Sequence, residues 1–242
     1  MILETSAFYL KYRPHGQENA IVHLFSKELG PITIYQKGFC SSKFRWKALF
    51  DFGQELHLCL RESRENYFLA DVKLLQSIPI SSYPALTLGS FLFQLLSEWP
   101  ASVPWNAPAL YDAVKEELQL FSSSIQWTRL LWLQLWILQE FGLLGDHRRC
   151  SQCQTKFSPG TFSFGEQDQW SFRCANCCQN HSLLCLDTQE REILSSWFSP
   201  DTSKQGVFSK LSLVALQNHL NTLYRDWVPF KMIHEVMSVL TN

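Results

Sequence analysis

Two cysteine pairs constrain this chain of 242 residues more than any other feature. Cys150-Ser-Gln-Cys153 and Cys174-Ala-Asn-Cys177 are separated by a twenty-residue spacer. Each CxxC closes a tight turn that aims two thiolates at one point, and the spacer is long enough for a short hairpin to bring the pairs together. Zn²⁺ takes four soft thiolates and has no geometric preference to oppose the tetrahedron. The spacing therefore predicts a structural zinc knuckle at about residues 147–185. Disulfides would need an oxidising compartment, and Met1-Ile-Leu-Glu4 lacks the basic start and long apolar centre of a secretory signal. A redox CxxC is not expected twice with no βαβ pattern nearby, and four unrelated buried cysteines would meet this spacing only by chance. Four thiolates leave no coordination position for water, so the ion would contribute folding free energy rather than chemistry. Cys178, His181 and Cys185 stand close enough to substitute for a ligand, and Cys178 could replace Cys177.

Composition excludes several classes. Hydrophobic residues at 46% and aromatics at 14% are ample for a packed core, and charged residues at 18% fall below what a disordered chain carries. A net charge of −1 gives no general pull toward nucleic acid, so any such binding needs a local patch. The longest apolar stretch, Ile125 to Phe141, is interrupted by Gln126, Arg129, Gln134 and Gln139 and reads as a buried helix rather than a membrane span. Eight cysteines, four of them in a zinc pattern, suit a reducing interior. The expectation is a soluble cytoplasmic protein.

The first 80 residues alternate with a period of two. Phe8, Leu10 and Tyr12 are expected on one face of a strand, with Tyr9, Lys11 and Arg13 on the other, and Pro14-His15-Gly16 breaks it. Further strands are predicted over Ala20–Phe25, Ile32–Lys37, Leu56–Arg61 and Tyr67–Val72, with turns at Glu28–Pro31 and Glu65–Asn66. Five short strands at this spacing predict a small barrel, for which the OB-fold is the natural candidate, though other five-stranded barrels would read alike. Between the third and fourth strands, Lys37 to Lys47 holds Lys37, Lys43, Arg45 and Lys47 with no acidic residue, interleaved with Phe39, Phe44 and Trp46. Cations for phosphates and flat rings for bases are what single-strand surfaces use. The competing reading is a solvated loop whose aromatics tuck into the barrel. Residues 1–80 carry ten Lys/Arg against eight Asp/Glu, and residues 81–242 carry eleven against fourteen, so the basic excess of the first part is slight.

Ile78 to Pro84 marks a boundary, after which the period lengthens to about 3.6. Helices are predicted over Leu86–Trp99, from Pro108 to Phe121, over Ile125–Phe141 with Gly142 capping its end, from a cap at Thr188 to Phe198, through Leu211, Val214, Leu220 and Leu223, and over Met232–Leu240. On the second, Leu110, Val114, Leu118 and Phe121 form the apolar stripe, with Lys115, Glu116 and Glu117 expected outward. The fold class is thus α+β: a five-stranded barrel at 1–80, then a helical domain at 81–242 into which the four-cysteine knuckle is inserted. No phosphate-binding glycine loop, GxSxG, HExxH or dinucleotide fingerprint occurs. His147 beside Arg148 and Arg149 reads as an exposed helix end, and Asp112, Glu116 and Glu117 as a solvated face, so a non-enzymatic binding protein is expected.

The order of parts resembles a known family. Tyr12-Arg-Pro-His-Gly-Gln-Glu-Asn19, Leu24-Phe-Ser-Lys-Glu-Leu-Gly30 and Lys37-Gly38 in the barrel, and Leu138-Gln-Glu-Phe-Gly-Leu-Leu144 running into the cysteine knuckle, are similar to the RecO family of bacterial recombination mediators. The resemblance implies an OB-fold joined to a helical domain that carries zinc in many members, and no catalytic site. It further implies binding of single- and double-stranded DNA, annealing of complementary strands, a RecR-like partner, and help in loading the RecA recombinase. The acidic C-terminal tail of single-strand binding protein would dock on the helical domain, where Arg129 is the candidate for its carboxylates. Carried onto this chain, Lys11, Arg13, Lys37, Lys43, Arg45 and Lys47 would meet phosphates, Phe44 or Trp46 would stack on a base, and Cys150, Cys153, Cys174 and Cys177 would hold zinc. Localisation would be cytoplasmic and nucleoid-associated, with no membrane. Phe39, Cys40 and two serines stand where relatives are strongly basic, which implies a greater reliance on the RecR-like partner. Outside the resemblance, the chain also reads as an adaptor that binds only proteins, or less well as an RNA-binding enzyme with a borrowed OB-fold.

Overall fold

A computed structural model describes residues 2–63, 66–80, 82–99, 103–105, 108–121, 123–143, 149–156, 162–164, 172–174, 176–177, 189, 193, 209, 213–214, 216–218, 220–221 and 230–241. The chain forms two compact units, Met1–Ile125 and Gln126–Asn242. Five strands open the first: β1 (Ile2–His15), β2 (Asn19–Ser26), β3 (Gly30–Gln36), β4 (Gln54–Ser63) and β5 (Asn66–Ser77). They close in the order β1-β2-β3-β5-β4, every pairing antiparallel except β3 with β5, which meet in parallel at Ile34 and Tyr67. This is the five-stranded Greek-key barrel of the OB-fold. Ala7, Ala20, Val22, Leu24, Ile34, Leu56, Leu58, Leu60 and Val72 fill its interior at two-residue intervals, as the alternation predicts.

The first strand departs from expectation at both ends and in the middle. It begins at Ile2 and continues through Pro14 and His15, which still pair with Ala20 and Asn19, so the break comes at Gly16 rather than at Pro14. The register also slips between Tyr9 and Lys11. Such a bulge inserts one residue and reverses the pleat beyond it. Phe8 therefore faces outward opposite Phe25, whereas Tyr12 pairs with the interior Val22 and meets Phe39 with ring centroids 5.1 Å apart. Phe8 and Tyr12 do not share a face.

The outward pair Phe8 and Phe25 explains why the first unit runs past residue 80. Helix α1 (Tyr83–Ser97), capped by the Ser82 side chain accepting from the Ala85 amide, and helix α2 (Pro108–Phe121) pack on that end of the barrel wall. Phe8 meets Phe93 at 6.0 Å and Tyr111 at 5.3 Å, and Phe25 meets Tyr111 at 5.4 Å. All four rings are buried, each contributing about 2–3 kcal/mol by area. Buried Glu55 on β4 accepts from the Tyr111 hydroxyl at 3.1 Å and pairs with Lys115 Nζ at 2.7 Å. Burial first, and then the Glu55 carboxylate, push the Tyr111 phenol well above its ordinary range, so it stays a donor. Lys115 and Glu117 thus do not form the solvated face expected of them. Glu117 is buried because it lies seven residues after Leu110, back on the apolar stripe.

In the second unit α3 (Trp127–Glu140) is buried along Leu130, Leu131, Leu133, Gln134, Leu135, Ile137 and Leu138. It ends in a Schellman motif: Leu143 N–H donates to Leu138 C=O at 3.0 Å and Gly142 N–H to Gln139 C=O at 2.9 Å, with Gly142 at φ 73°. Gln134 and Gln217 exchange two buried amide hydrogen bonds at 2.9 and 3.0 Å, so a polar residue that seemed to interrupt the apolar run is a satisfied core contact. Short strands β6 (Phe162–Phe164) and β7 (Phe172–Cys174) pair antiparallel, and α4 (Phe230–Thr241) closes the described chain. Residues 213–214, 216–218 and 220–221 are helical, as are 189 and 193. The expected cap at Thr188, the positions Leu211 and Leu223, and His147 and Arg148 lie outside the described residues.

Candidate functional site

Two constellations from the sequence are brought together, each within its own unit. The first is the connection after β3. Its start is pinned to the β1–β2 turn, where Gly38 N–H donates to Asn19 Oδ1 at 3.0 Å and Cys40 N–H to Glu18 C=O at 2.8 Å. Phe39 then plugs the barrel end, 2% exposed, with Phe44 at 5.2 Å and Phe50 at 5.3 Å. Phe44 is half-buried on the same cluster. Trp46 is likewise half-buried against the cluster, so all three loop aromatics pack on the core, as the competing reading of this loop had it. Trp46 stands edge-on to Phe44, and the Arg45 guanidinium lies 4.0 Å over its ring, so one face of the indole already carries a cation.

The cations of this region divide into two sets. Lys37, Lys43, Arg45 and Lys47 are exposed, as is Arg13 on β1, and among the described residues none of these side chains meets a carboxylate. Lys11 is different: its Nζ lies 2.9 Å from Glu98 Oε1 at the end of α1, and its charge is matched inside the molecule. Arg13, Ile21 and Tyr35 share one outward row across β1, β2 and β3, and the His15 ring meets the Tyr35 ring edge-on at 5.6 Å. The β2–β3 face is where OB barrels take up oligonucleotides, so Tyr35 and His15 join the site although sequence reasoning passed over them. The alternation Ile32, Ile34 inward against Thr33, Tyr35 outward was the available signal. His23 lies on the next outward row with Lys11 and Thr33, and its Nε2 is buried without a hydrogen-bond partner. Burial first, and then Lys11 and Arg13, hold its imidazole below the ordinary pKa, so it is neutral.

The second constellation is the cysteine cluster. Cys150 N–H donates to Thr155 C=O at 2.9 Å and Gln154 N–H to Cys150 C=O at 2.9 Å, with Gln154 in the left-handed region at φ 59°. That turn presents Cys150 and Cys153. On the other side Cys174 ends β7 and Cys177 N–H donates to Cys174 C=O at 3.0 Å, while the β6–β7 hairpin occupies the spacer as expected. All four sulfurs lie within 4.8 Å of one another, with Cys153 and Cys174 at 3.6 Å. A tetrahedron with metal–sulfur bonds of about 2.3 Å needs sulfurs about 3.8 Å apart, so the donor set and spacing fit a metal ion. At Cys150 burial raises the thiol pKa, but amide donors from Cys153, Cys174 and Gln152 outweigh it and bring it down to about 6. Thr155 lowers Cys153, and hydrogen bonding to Cys174 pushes Cys177 up to about 12. Cys178, His181 and Cys185, the possible substitutes, lie outside the described residues.

Arg129 sits half-buried in the first turn of α3. No helix among the described residues is long and apolar enough to cross a membrane. None of the curated proteins compared with this chain matches it. Residues 1–78 match the family model described as "Recombination protein O N terminal", a span that covers the barrel from β1 through β5. Residues 1–78, the OB-fold barrel, are thus similar to the N-terminal domain of the recombination protein O family, whose name points to DNA recombination.

Proposed function

We propose that this protein is a non-catalytic recombination mediator that holds DNA on the outward β1–β2–β3 wall and the loop from Lys37 to Lys47. The observation that carries the reading is the set of five exposed cations, Arg13, Lys37, Lys43, Arg45 and Lys47, which meet no carboxylate among the described residues, on an OB-fold similar to the family's N-terminal domain. They would neutralise phosphates, while Trp46, already carrying Arg45 on one face, and Tyr35 offer rings to bases. Single strands are the primary ligand, duplex DNA a weaker one, and annealing follows from holding two complementary strands. A RecR-like partner would add positive surface for loading the RecA recombinase. The tail of single-strand binding protein would dock on the helical half near Arg129. Zn²⁺ in the four-cysteine cluster is structural in this reading: it would fix the β6–β7 knuckle through Cys150, Cys153, Cys174 and Cys177.

Fluorescence anisotropy with labelled single-stranded DNA, across a salt series, tests the placement. Lys43→Ala/Arg45→Ala/Lys47→Ala should weaken binding and flatten the slope of log K against log salt by about 2, at about 0.7 per phosphate contact on a single strand. A triple variant that binds like the parent overturns this surface. The second reading, an adaptor that binds only proteins, draws on the pairing of Lys11 with Glu98 and on the net charge of −1. It is favoured if the parent binds no DNA even at low salt.

A further inference from the structure

The barrel carries a second cluster of metal-ligating side chains, apart from the four cysteines. Leu56, Leu58 and Leu60 point into the barrel, so His57 and Cys59 point out from β4, two residues apart on one face. Glu4 on β1 is the register partner of Cys59. The Glu4 carboxylate lies 3.7 Å from His57 Nε2 through one oxygen and 3.8 Å from Cys59 Sγ through the other. The three ligating atoms all fall within 4.8 Å of one another. We propose that Glu4, His57 and Cys59 form a second site on the barrel wall, for a borderline divalent transition ion such as Zn²⁺.

The chemistry of the donors argues for that class of ion. Imidazole nitrogen, thiolate and carboxylate are the three ligand types Zn²⁺ takes, whereas Mg²⁺ and Ca²⁺ would be served by oxygen alone. Bonds of about 2.0–2.3 Å place neighbouring ligand atoms about 3.3–3.8 Å apart. The 3.7 and 3.8 Å separations run through different Glu4 oxygens and lie at the long end of that range, and side-chain rotation would draw one oxygen, the imidazole nitrogen and the sulfur onto a common ion. The backbone beneath is fixed, because β1 and β4 pair continuously from Ile2–Arg61 to Phe8–Glu55 inside a closed barrel. Asp71 on β5 stands opposite Cys59 and adds negative charge, while Lys73 opposite His57 and exposed Arg61, two residues further along β4, add positive charge. Binding would release the Cys59 thiol proton to solvent. Three protein ligands leave a fourth position for water or for Asp71, so this site is open where the cysteine cluster is closed.

The test uses the full-length chain, stripped with a chelator under a phosphine reductant and returned to Zn²⁺ at tens of micromolar. Iodoacetamide labelling is read peptide by peptide. Zn²⁺ should slow alkylation of Cys59 at least tenfold, and His57→Ala should abolish that protection while Cys150, Cys153, Cys174 and Cys177 stay protected. Glu4→Gln, a solvent-facing change, should weaken protection of Cys59 without touching the other four. With Co²⁺, the parent should take up two ions per chain and His57→Ala one. Equal Cys59 labelling with and without Zn²⁺, or protection that survives both substitutions, overturns the site.

Discussion

Replacing Gly30 by alanine tests how the helices are seated on the barrel. Gly30 opens β3 at φ +70°, and a Cβ there would lie 2.5–2.7 Å from Cγ, Cδ2 and Cβ of Trp105. Trp105 cannot swing aside at no cost. Its indole N–H donates to Lys27 C=O at 2.9 Å, and its ring stands edge-on to Phe25 at 5.4 Å and packs against Trp99 at 5.3 Å. Gly30→Ala should therefore incur about 1 kcal/mol for a side chain in the left-handed region. Losing the indole hydrogen bond adds about 1 kcal/mol, and disturbing the aromatic contacts about 1 kcal/mol more. The sum, about 3 kcal/mol, has a built-in control. Gly16 has nearly the same backbone at φ +73° and nothing within 4 Å of an added Cβ. Gly16→Ala should lose only the first contribution, about 1 kcal/mol. Urea unfolding of both variants beside the parent measures the difference of about 2 kcal/mol assigned to Trp105. If the two lose equal stability, Trp105 is not seated against β3 and the reasoning fails.

Other outcomes follow from the same contacts. Lys115→Met leaves the buried Glu55 carboxylate with only the Tyr111 hydroxyl and should cost about 2 kcal/mol in urea, less than a fully buried pair because Lys115 is 31% exposed. Adding Glu55→Gln to Lys115→Met should restore much of that loss, and additive losses would argue against the pair. His23, depressed below its ordinary value near 6.5, binds fewer protons folded than unfolded, so its contribution is complete above about pH 6.5 and declines as pH falls below it. His23→Gln should flatten the fall in stability between pH 7 and 5, and an unchanged pH profile would exclude His23 as a source. Gln134→Leu strands the Gln217 amide oxygen in the core, while its Nε2 keeps Asn221 Oδ1 at 3.0 Å, and should cost about 2 kcal/mol, with Gln134→Leu/Gln217→Leu less damaging than the sum of its singles.

The parts legible in the sequence are those where one period governs. Three strands with interior leucine, valine and isoleucine at every second place, β2, β3 and β4, emerged within two residues of their true bounds, whereas β5 runs on to Ser77 where Val72 was expected to end it, and α2 matched from Pro108 to Phe121. The cysteine cluster was legible because two CxxC turns and a hairpin-length spacer leave the sulfurs few other places to go. The phase of β1 was not, since a bulge between Tyr9 and Lys11 changes which residues share a face without changing residue types. Nor was the extent of the first unit. Phe8 and Phe25 face outward to take helices, a demand that reads in the sequence only as imperfect alternation. The loop aromatics could be read either way until Phe39 was seen inside the barrel. Lys11 looked like its neighbour Arg13 because its partner Glu98 is far along the chain.

The division of the barrel wall also sets a length. From His23 onward the outer face of β2 is spent on α1, Trp99 and Trp105, which leaves Asn19 to Val22, about 10 Å at about 3.4 Å per residue. A footprint of that size is short beside the roughly 4–16 nucleotides an OB-fold occupies. A strand lying there would have to leave the sheet on the side away from α1 and continue over the loop that begins at Lys37. Truncating that loop should therefore shrink the number of nucleotides covered as well as the affinity, and oligonucleotides of graded length would read the two effects separately.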